Sequence, residues 1–364
     1  MRISVTDAFN SADISLCRGT RYTLMLADNA VLHFDLATSK YRFVDRSLLP
    51  VALVRTAADS IVPALKEWLL NRAIQVGRSH KDKILKVCGL SGSADLYTLI
   101  SQYRALSLTD NYWIRRYGEN CAYSEVNLHT NPFSKALFPI ALTGVGDLSL
   151  RDATPELNQR GVMAKAYRRE DSGIYIYKTG KSHKIQIECF ASRVAEYCGM
   201  YSVIYRNVHL GKYDCVKCKV ETSPQLNWVP ARDFITAGVD AVRLALMTVP
   251  QRFYEMRIFD YITGNSDRHN ENWSFEVDNS NGILGLSKLY DFDNCFTAAE
   301  NDPSQIDLKP ARTAALEAFA SLGEPDYFRR LEGFLGSSKQ RNLADYVMRR
   351  VHILKAATYN NKLR

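Results

Sequence analysis

The chain has 364 residues and a formal charge of +8, from 47 Lys and Arg against 39 Asp and Glu. At 46% hydrophobic and 24% charged residues it has an ordinary globular composition, which excludes wholesale disorder and leaves room for two domains or three lobes. Eight cysteines are too sparse for a disulfide scaffold at this length, no apolar run approaches the roughly eighteen residues of a membrane span, and the first residues hold no signal-like stretch. A cytoplasmic protein with reduced thiols and no membrane insertion is expected.

Residues 22–26 and 31–36 read as strands around Asp28-Asn29, a small hairpin. Ile61, Leu65, Trp68, Leu69 and Ala73 keep helical spacing and predict a helix over 59–73. A second helix is expected over 95–103. Residues 106–114 and 131–134 read as ordered loops with aromatic plugs. From about 150 the texture changes. Stretches 161–169 and 173–178 flank the turn cluster Arg169-Glu170-Asp171-Ser172 and predict a hairpin. Ile187, Phe190, Ala191, Val194 and Cys198 lie on one face of a helix over 186–198, with Gly199 as its stop. Strands are expected at 201–206 and 213–220, then helices at 231–247, 251–263, 311–321, 325–335 and 339–357. A β-rich part with one helix followed by an α-rich part describes two lobes with a cleft between them.

The chemistry concentrates in Gly264-Asn265-Ser266-Asp267-Arg268-His269-Asn270-Glu271-Asn272-Trp273 and in Leu289-Tyr290-Asp291-Phe292-Asp293-Asn294. Between them Trp273, Phe275 and Val277 alternate with polar residues, Asp278-Asn279-Ser280-Asn281-Gly282 is a strong turn signal, and Ile283, Leu284 and Leu286 begin a return strand. A hairpin returns its ends to one place, so Asn272 and Asp291 should face each other. Two oxygen donors at one point, with the Asp267 carboxylate five residues before Asn272, suit Mg²⁺ on nucleotide phosphates and a base for an incoming hydroxyl.

The D-x-x-x-x-N pair, the hairpin and the second Asp follow the logic of protein kinases, although the chain reads Asp267-Arg268-His269 and Asp291-Phe292-Asp293 where those kinases have His-Arg-Asp and Asp-Phe-Gly. The pattern resembles phosphoinositide-type lipid kinases and bacterial HipA-type kinases. Upstream, Thr154-Pro155-Glu156-Leu157, Gly161-Val162-Met163-Ala164-Lys165, Ile174 to Gly180 and Glu188 resemble the HipA-like family, with the CtkA-like branch and HipA-domain proteins of bacteria and phages nearest. The motif match covers about residues 150–300, and 45–140 match more weakly. The resemblance implies an α+β, bilobal protein-kinase-like fold with an additional N-terminal α/β domain: an accessory domain at 1–149, a β-rich N-lobe at 150–223 and a mainly helical C-lobe at 224–364.

It also implies roles. Lys178 would hold the α- and β-phosphates of ATP and Glu188 would be its ion-pair partner. Asp267 would be the base, and Asn272 and Asp291 the Mg²⁺ ligands. Asp293 should point away. His269 would steady phosphate as in the lipid-kinase pattern, or be a structural histidine; both readings stand. Arg268 should anchor the loop and Asn265 order it. No G-x-G-x-x-G or Walker loop occurs, so the phosphate cover falls to 157–165, with Gly161 its only glycine and Lys165 its cation. Glu221-Thr222-Ser223 would connect the lobes and hold adenine through the backbone.

The implied activity is an ATP- and Mg²⁺-dependent Ser/Thr kinase acting on a protein of unknown identity. A lipid or small-molecule kinase, a nucleotide-binding toxin-system regulator and transfer of AMP stay open. An antitoxin-like regulator is a partner the resemblance allows. The charge permits a nucleic-acid partner, but most of the excess, +6, lies within 326–364, which lacks regular aromatic interleaving and any helix-turn-helix signal. Cys215-x-x-Cys218 falls inside a strand with no second pair, which argues against zinc, and no G-x-S-x-G elbow supports a hydrolase.

Overall fold

The computed structural model describes residues 21–72, 77–88, 103–134, 136–149, 163–296, 309–323 and 326–362. All but the last residue of the helix expected over 95–103 and the segment 154–162, with Gly161, lie outside the described residues.

Three sheets organise the described residues. The first has strands β1 (Arg21–Leu26), β2 (Asn29–Asp35), β3 (Tyr41–Phe43) and β4 (Tyr112–Arg116) in the order β3-β2-β1-β4. Its core is closed by helix α1 (Ile61–Leu70), which buries Ile61, Val62, Leu65 and Leu69 at helical spacing against Leu24, Leu32 and Phe34. Strand β4 begins within residues 106–114, read as loop. Tyr112 and Ile114 enter the α1 core while Trp113 is buried on the other face, so both faces are apolar and the alternation that marks a strand is absent. Helices α2 (Lys81–Val87), α3 (Tyr123–Val126) and α4 (Leu137–Thr143) lead to the second sheet.

That sheet holds β5 (Ala164–Glu170), β6 (Gly173–Thr179), β7 (Arg206–Leu210) and β8 (Tyr213–Lys219), in the order β5-β6-β8-β7. The expected β5–β6 hairpin is present, with Lys165 directly opposite Lys178. The expected strand at 201–206 is instead a buried extended segment whose Val203 and Tyr205 enter the core, and β7 starts where it ends. Helix α5 (Ser182–Tyr197) begins four residues earlier than its apolar face suggested. Cys215 and Cys218 face different apolar clusters on the two sides of β8.

The third sheet, β11-β10-β9, joins β9 (Asn227–Pro230) to the hairpin β10 (Ser274–Val277) and β11 (Ile283–Leu286). The turn between them is fixed by Asp278, whose Oδ1 accepts from the Ser280 and Gly282 amides at 2.8 Å. The single helix expected over 231–247 is two, α6 (Ala231–Thr236) and α7 (Ala241–Thr248). Gly238 breaks it at φ 71°, and Asp240 caps the restart by accepting from the Arg243 amide. Helices α8 (Pro250–Thr263), α9 (Lys309–Leu322), α10 (Tyr327–Ser337) and α11 (Arg341–Lys362) pack with α5 around one large apolar core. Among the described residues no helix is long and apolar enough to cross a membrane.

The first sheet's region is joined to the rest by backbone and amide bonds. The Trp228 amide donates to the Thr109 carbonyl at 2.7 Å. Asn111, fully buried, receives the Tyr123 hydroxyl, donates its backbone amide to Asn227 Oδ1 and donates its Nδ2 to the Ser223 carbonyl and Asn279 Oδ1.

Candidate active site

A cavity of about 520 Å³ opens between the second sheet, the third sheet and the segment 108–112. Lys165 and Lys178 line one side, and Asp267, Asn272 and Asp291 line the other.

The lysine side follows from β-sheet register. Opposed residues share a face, so β5 and β6 aim two ammonium groups into the cleft. Lys178 is buried, with 8% of its side chain exposed. Its Nζ lies 2.6 Å from Glu188 Oε1, 2.9 Å from Asp291 Oδ1 and 3.4 Å from the Tyr205 hydroxyl. Burial alone would lower its pKa, but Asp291 and Glu188 outweigh it and hold the ammonium well above its ordinary value. The same pairing with Lys178 holds the Asp291 carboxyl down at about 2. At Lys165 the same two carboxylates do not outweigh burial. Burial, then the Lys178 charge, push it down to about 8. Two like charges across one strand pair repel, and an anion between them would relieve that repulsion.

The aspartate side hangs on one buried arginine. α8 ends at Gly264 in the left-handed region at φ 58°. The chain then turns back so that Arg268 pairs with Asp260 of that helix at 3.0 Å, and the Asn265 amide donates to the same carboxylate. Arg268 Nη1 also donates to the carbonyls of Asn272 (2.5 Å) and Tyr290 (3.0 Å). One guanidinium therefore ties the loop to both ends of the β10–β11 hairpin, which brings Asn272 and Asp291 to one place. The anchoring expected of Arg268 and the ordering expected of Asn265 are both present. Asn272 donates its Nδ2 to the Asp267 carbonyl at 2.9 Å, which leaves its Oδ1 as an oxygen donor. Asp291 adopts φ 60°, a costly conformation for a residue with a Cβ, and the Lys178 bond and the Tyr205 hydroxyl on its amide hold it there.

Asp267 is open to the cleft, with 45% of its side chain exposed. Its Oδ2 accepts from Asn294 Nδ2 at 3.0 Å. His269 Nε2 is 3.9 Å from Asp267 Oδ1, beyond hydrogen-bond range, and its Nδ1 accepts from the Glu271 amide. Asp293 does not point away as expected; it lines the cavity, and burial with the Asp291 charge raises its carboxyl. On the connector, Glu221 and Thr222 line the cavity and Ser223 does not. Ser223 exchanges backbone hydrogen bonds with Leu226, and its carbonyl accepts from Asn111, so those groups are committed elsewhere. Glu221 pairs with Lys288 at 2.9 Å.

Sequence reasoning missed Tyr205, Asp260, Lys184 and Asn294. Asp260 had a visible signal, an acidic residue on a helix whose neighbours Phe259 and Ile262 are apolar, eight residues before Arg268. Tyr205, Lys184 and Asn294 had none, because their contacts are long-range.

No family model matches the chain, and no curated protein matches it by sequence. Solved structures do. HipA from the Shewanella oneidensis MR-1 toxin–antitoxin complex with HipB and its operator DNA aligns at a TM-score of 0.51 and 15% identity, over 91% of this chain and 90% of that one. A proinflammatory kinase of Helicobacter pylori, CtkA, aligns at 0.39 and 15% identity over 53% of this chain and 90% of that one, too loosely to carry an argument. The fold is therefore α+β, bilobal and protein-kinase-like, of the HipA type, as the sequence motifs implied.

Proposed function

We propose that this chain is an ATP- and Mg²⁺-dependent kinase that transfers the γ-phosphate to a Ser or Thr hydroxyl of a protein. One observation carries the reading: a single cavity collects Lys178, which Glu188 pairs from behind, the Asp267 carboxylate, Asn272 and Asp291. In this reading residues 1–149 form an accessory domain, 150–223 the N-lobe and 224–364 the C-lobe. Lys165 and Lys178 bind phosphate oxygens, and the mutual repulsion of the two lysines supports an anionic ligand. The backbone at Glu221 and Thr222 faces adenine. Asp267 orients the acceptor hydroxyl and takes up its proton as the new P–O bond forms and the bond from the γ-phosphorus to ADP, the leaving group, breaks. His269 stands at the acceptor side of the cleft.

The donor set fits a hard divalent ion. Asn272 Oδ1 and the Asp291 carboxylate are oxygens, and Glu188 Oε2 is a buried oxygen without a hydrogen-bond partner among the described residues. Among those residues no group of three or more His, Cys, Asp or Glu could hold a metal unaided. That agrees with Mg²⁺, which takes one or two protein oxygens and completes its shell with phosphates and water. When bound, the ion would neutralise charge on the transferring phosphate.

The HipA neighbour was captured with HipB and operator DNA, so we extend the reading to an antitoxin-like protein partner, with nucleic acid reached through it. A cytoplasmic setting belongs to the same reading. Intact-mass spectrometry of the purified protein with and without Mg²⁺-ATP, for wild type and Asp267→Asn, tests it. A phosphate-sized gain on the protein or on added substrate, lost in Asp267→Asn, is expected. An AMP-sized gain would replace the reaction, and equal gains in both proteins would overturn the role of Asp267.

A further inference from the structure

Asp267 presents a half-exposed carboxylate, and an exposed side chain rotates freely unless something holds it. Here Asn294 holds it. Asn294 Nδ2 donates to Asp267 Oδ2 at 3.0 Å, and the other oxygen, Oδ1, lies 3.9 Å from His269 Nε2. Asn294 is in turn fixed twice. Its neighbours Phe292, Cys295 and Phe296 are buried to 1% exposure or less, and the Phe296 amide donates to the Thr263 carbonyl at 2.8 Å, so its backbone is clamped against the end of α8. Its Oδ1 accepts from Lys184 Nζ at 3.1 Å, and the same ammonium binds the Asp293 carbonyl at 2.6 Å. Lys184 lies four residues before Glu188, on the same face of α5.

We propose that Asn294 and Lys184 are positioning residues that aim the Asp267 carboxylate at the acceptor hydroxyl, so that α5 sets the geometry of both ends of the cleft. The inference rests on the kinase reading and adds to it a line of contacts from α5 to the base: Lys184 to Asn294 to Asp267. The Glu188 contact fixes the phosphate lysine from one turn of α5. The Lys184 contact fixes the base from the preceding turn. A displacement of α5 would therefore disturb the two together, whereas each contact alone would disturb one.

The test is single-turnover consumption of Mg²⁺-ATP by the full chain, with nucleotide affinity measured separately by calorimetry. Asn294→Ala should slow transfer about 10- to 100-fold, the size of effect expected from a misaimed group, with affinity within about twofold of wild type. Asn294→Asp should be slower still, because it sets a second carboxylate against Asp267. Lys184→Met should slow transfer to a lesser degree, Lys184→Arg should restore it, and Lys184→Met combined with Asn294→Ala should be no slower than Asn294→Ala alone. Wild-type transfer in Asn294→Ala, parallel loss of affinity, or multiplied effects in the double variant would each overturn the proposal. A reaction-free readout separates its failure from that of the kinase reading. In denaturant unfolding, Asp267→Ala and Asn294→Ala should be non-additive; strict additivity would remove the contact on which the proposal stands, whatever wild type does with ATP.

Discussion

At the Lys178 end of the cleft the charges are paired and withdrawn from water, with Glu188 only 1% exposed; at the Asp267 end the carboxylate stands 45% open and is steadied by a single amide. Both ends are anchored from behind by an ion pair, Lys178–Glu188 in one case and Arg268–Asp260 in the other. The difference is where the functional group lies relative to that pair. Lys178 is itself a member of the buried pair, so in the proposed kinase reading function and stability share one residue. Asp267 stands beyond its anchor, so it can meet a changing partner without the fold depending on it. Alteration at the first end should therefore register in stability and binding, and alteration at the second in rate.

The largest effect expected is on rate. Asp267→Asn should lower phosphoryl transfer by about 10²- to 10⁴-fold, while thermal unfolding and Mg²⁺-ATP affinity stay near wild type. A large fall in melting temperature would erase the contrast between the ends. Glu188→Ala should do the reverse. Removing one partner of a buried pair costs about 3 kcal/mol, read in denaturant unfolding, and nucleotide affinity should fall with it. A stability loss below about 1 kcal/mol would show that Asp291 alone satisfies Lys178. Asn111→Ala sharpens the comparison by asking which end the N-terminal wall serves. It takes the acceptor from the Tyr123 hydroxyl and one donor each from the Ser223 carbonyl and Asn279 Oδ1, at about 1–3 kcal/mol, and it should weaken nucleotide affinity without changing the rate at saturation.

The smallest effect is on pH dependence. The folded Lys165 value, about 8, lies below its ordinary 10.5. Its charged form is thus disfavoured in the fold, and its contribution to stability rises as pH climbs from about 8 toward 10.5. Phosphate requires the charged form, so nucleotide affinity should run the other way, falling by up to about tenfold per pH unit above 8. Calorimetry at pH 8.5 in two buffers of different ionisation enthalpy should show proton uptake on binding, and Lys165→Arg should abolish it. Equal heats in the two buffers for wild type would remove Lys165 from the phosphate site.

Local signals were legible where local physics decides the outcome. The β5–β6 hairpin and the hairpin after Asn272 follow from turn chemistry and periodicity, whereas the pairing of Lys178 with Glu188 came with the resemblance to kinases. Strand β4 was not legible, because burial on both faces removes the alternation that betrays a strand. Strand β9 was hidden for a related reason: its four residues acquire their pairing from β10, more than forty positions later. The helix over 231–247 was read as one because its apolar spacing continues across Gly238, whose backbone conformation splits it. Within the cleft, the residues that could be named were those with a motif. Those that could not, Lys184, Asn294 and Tyr205, act across distances the spacing does not encode, and the expected orientation of Asp293 failed because the tight turn after Asp291 overrides strand alternation.

Gly264 and Tyr346 bear on when the site becomes complete. A Cβ at position 264 would collide with the Tyr346 hydroxyl oxygen, so α11 fits directly against the residue that launches the Asp267 loop. Arg350 of the same helix reaches the Tyr261 carbonyl and stacks on Tyr346, which gives part of the basic C-terminal charge a purely architectural role. Since Tyr346 follows Asp267 far along the chain, a growing polypeptide exposes every motif of the cleft before it makes the helix that seats them. The order of synthesis thus makes α11 the last element to reach the residue that launches the Asp267 loop.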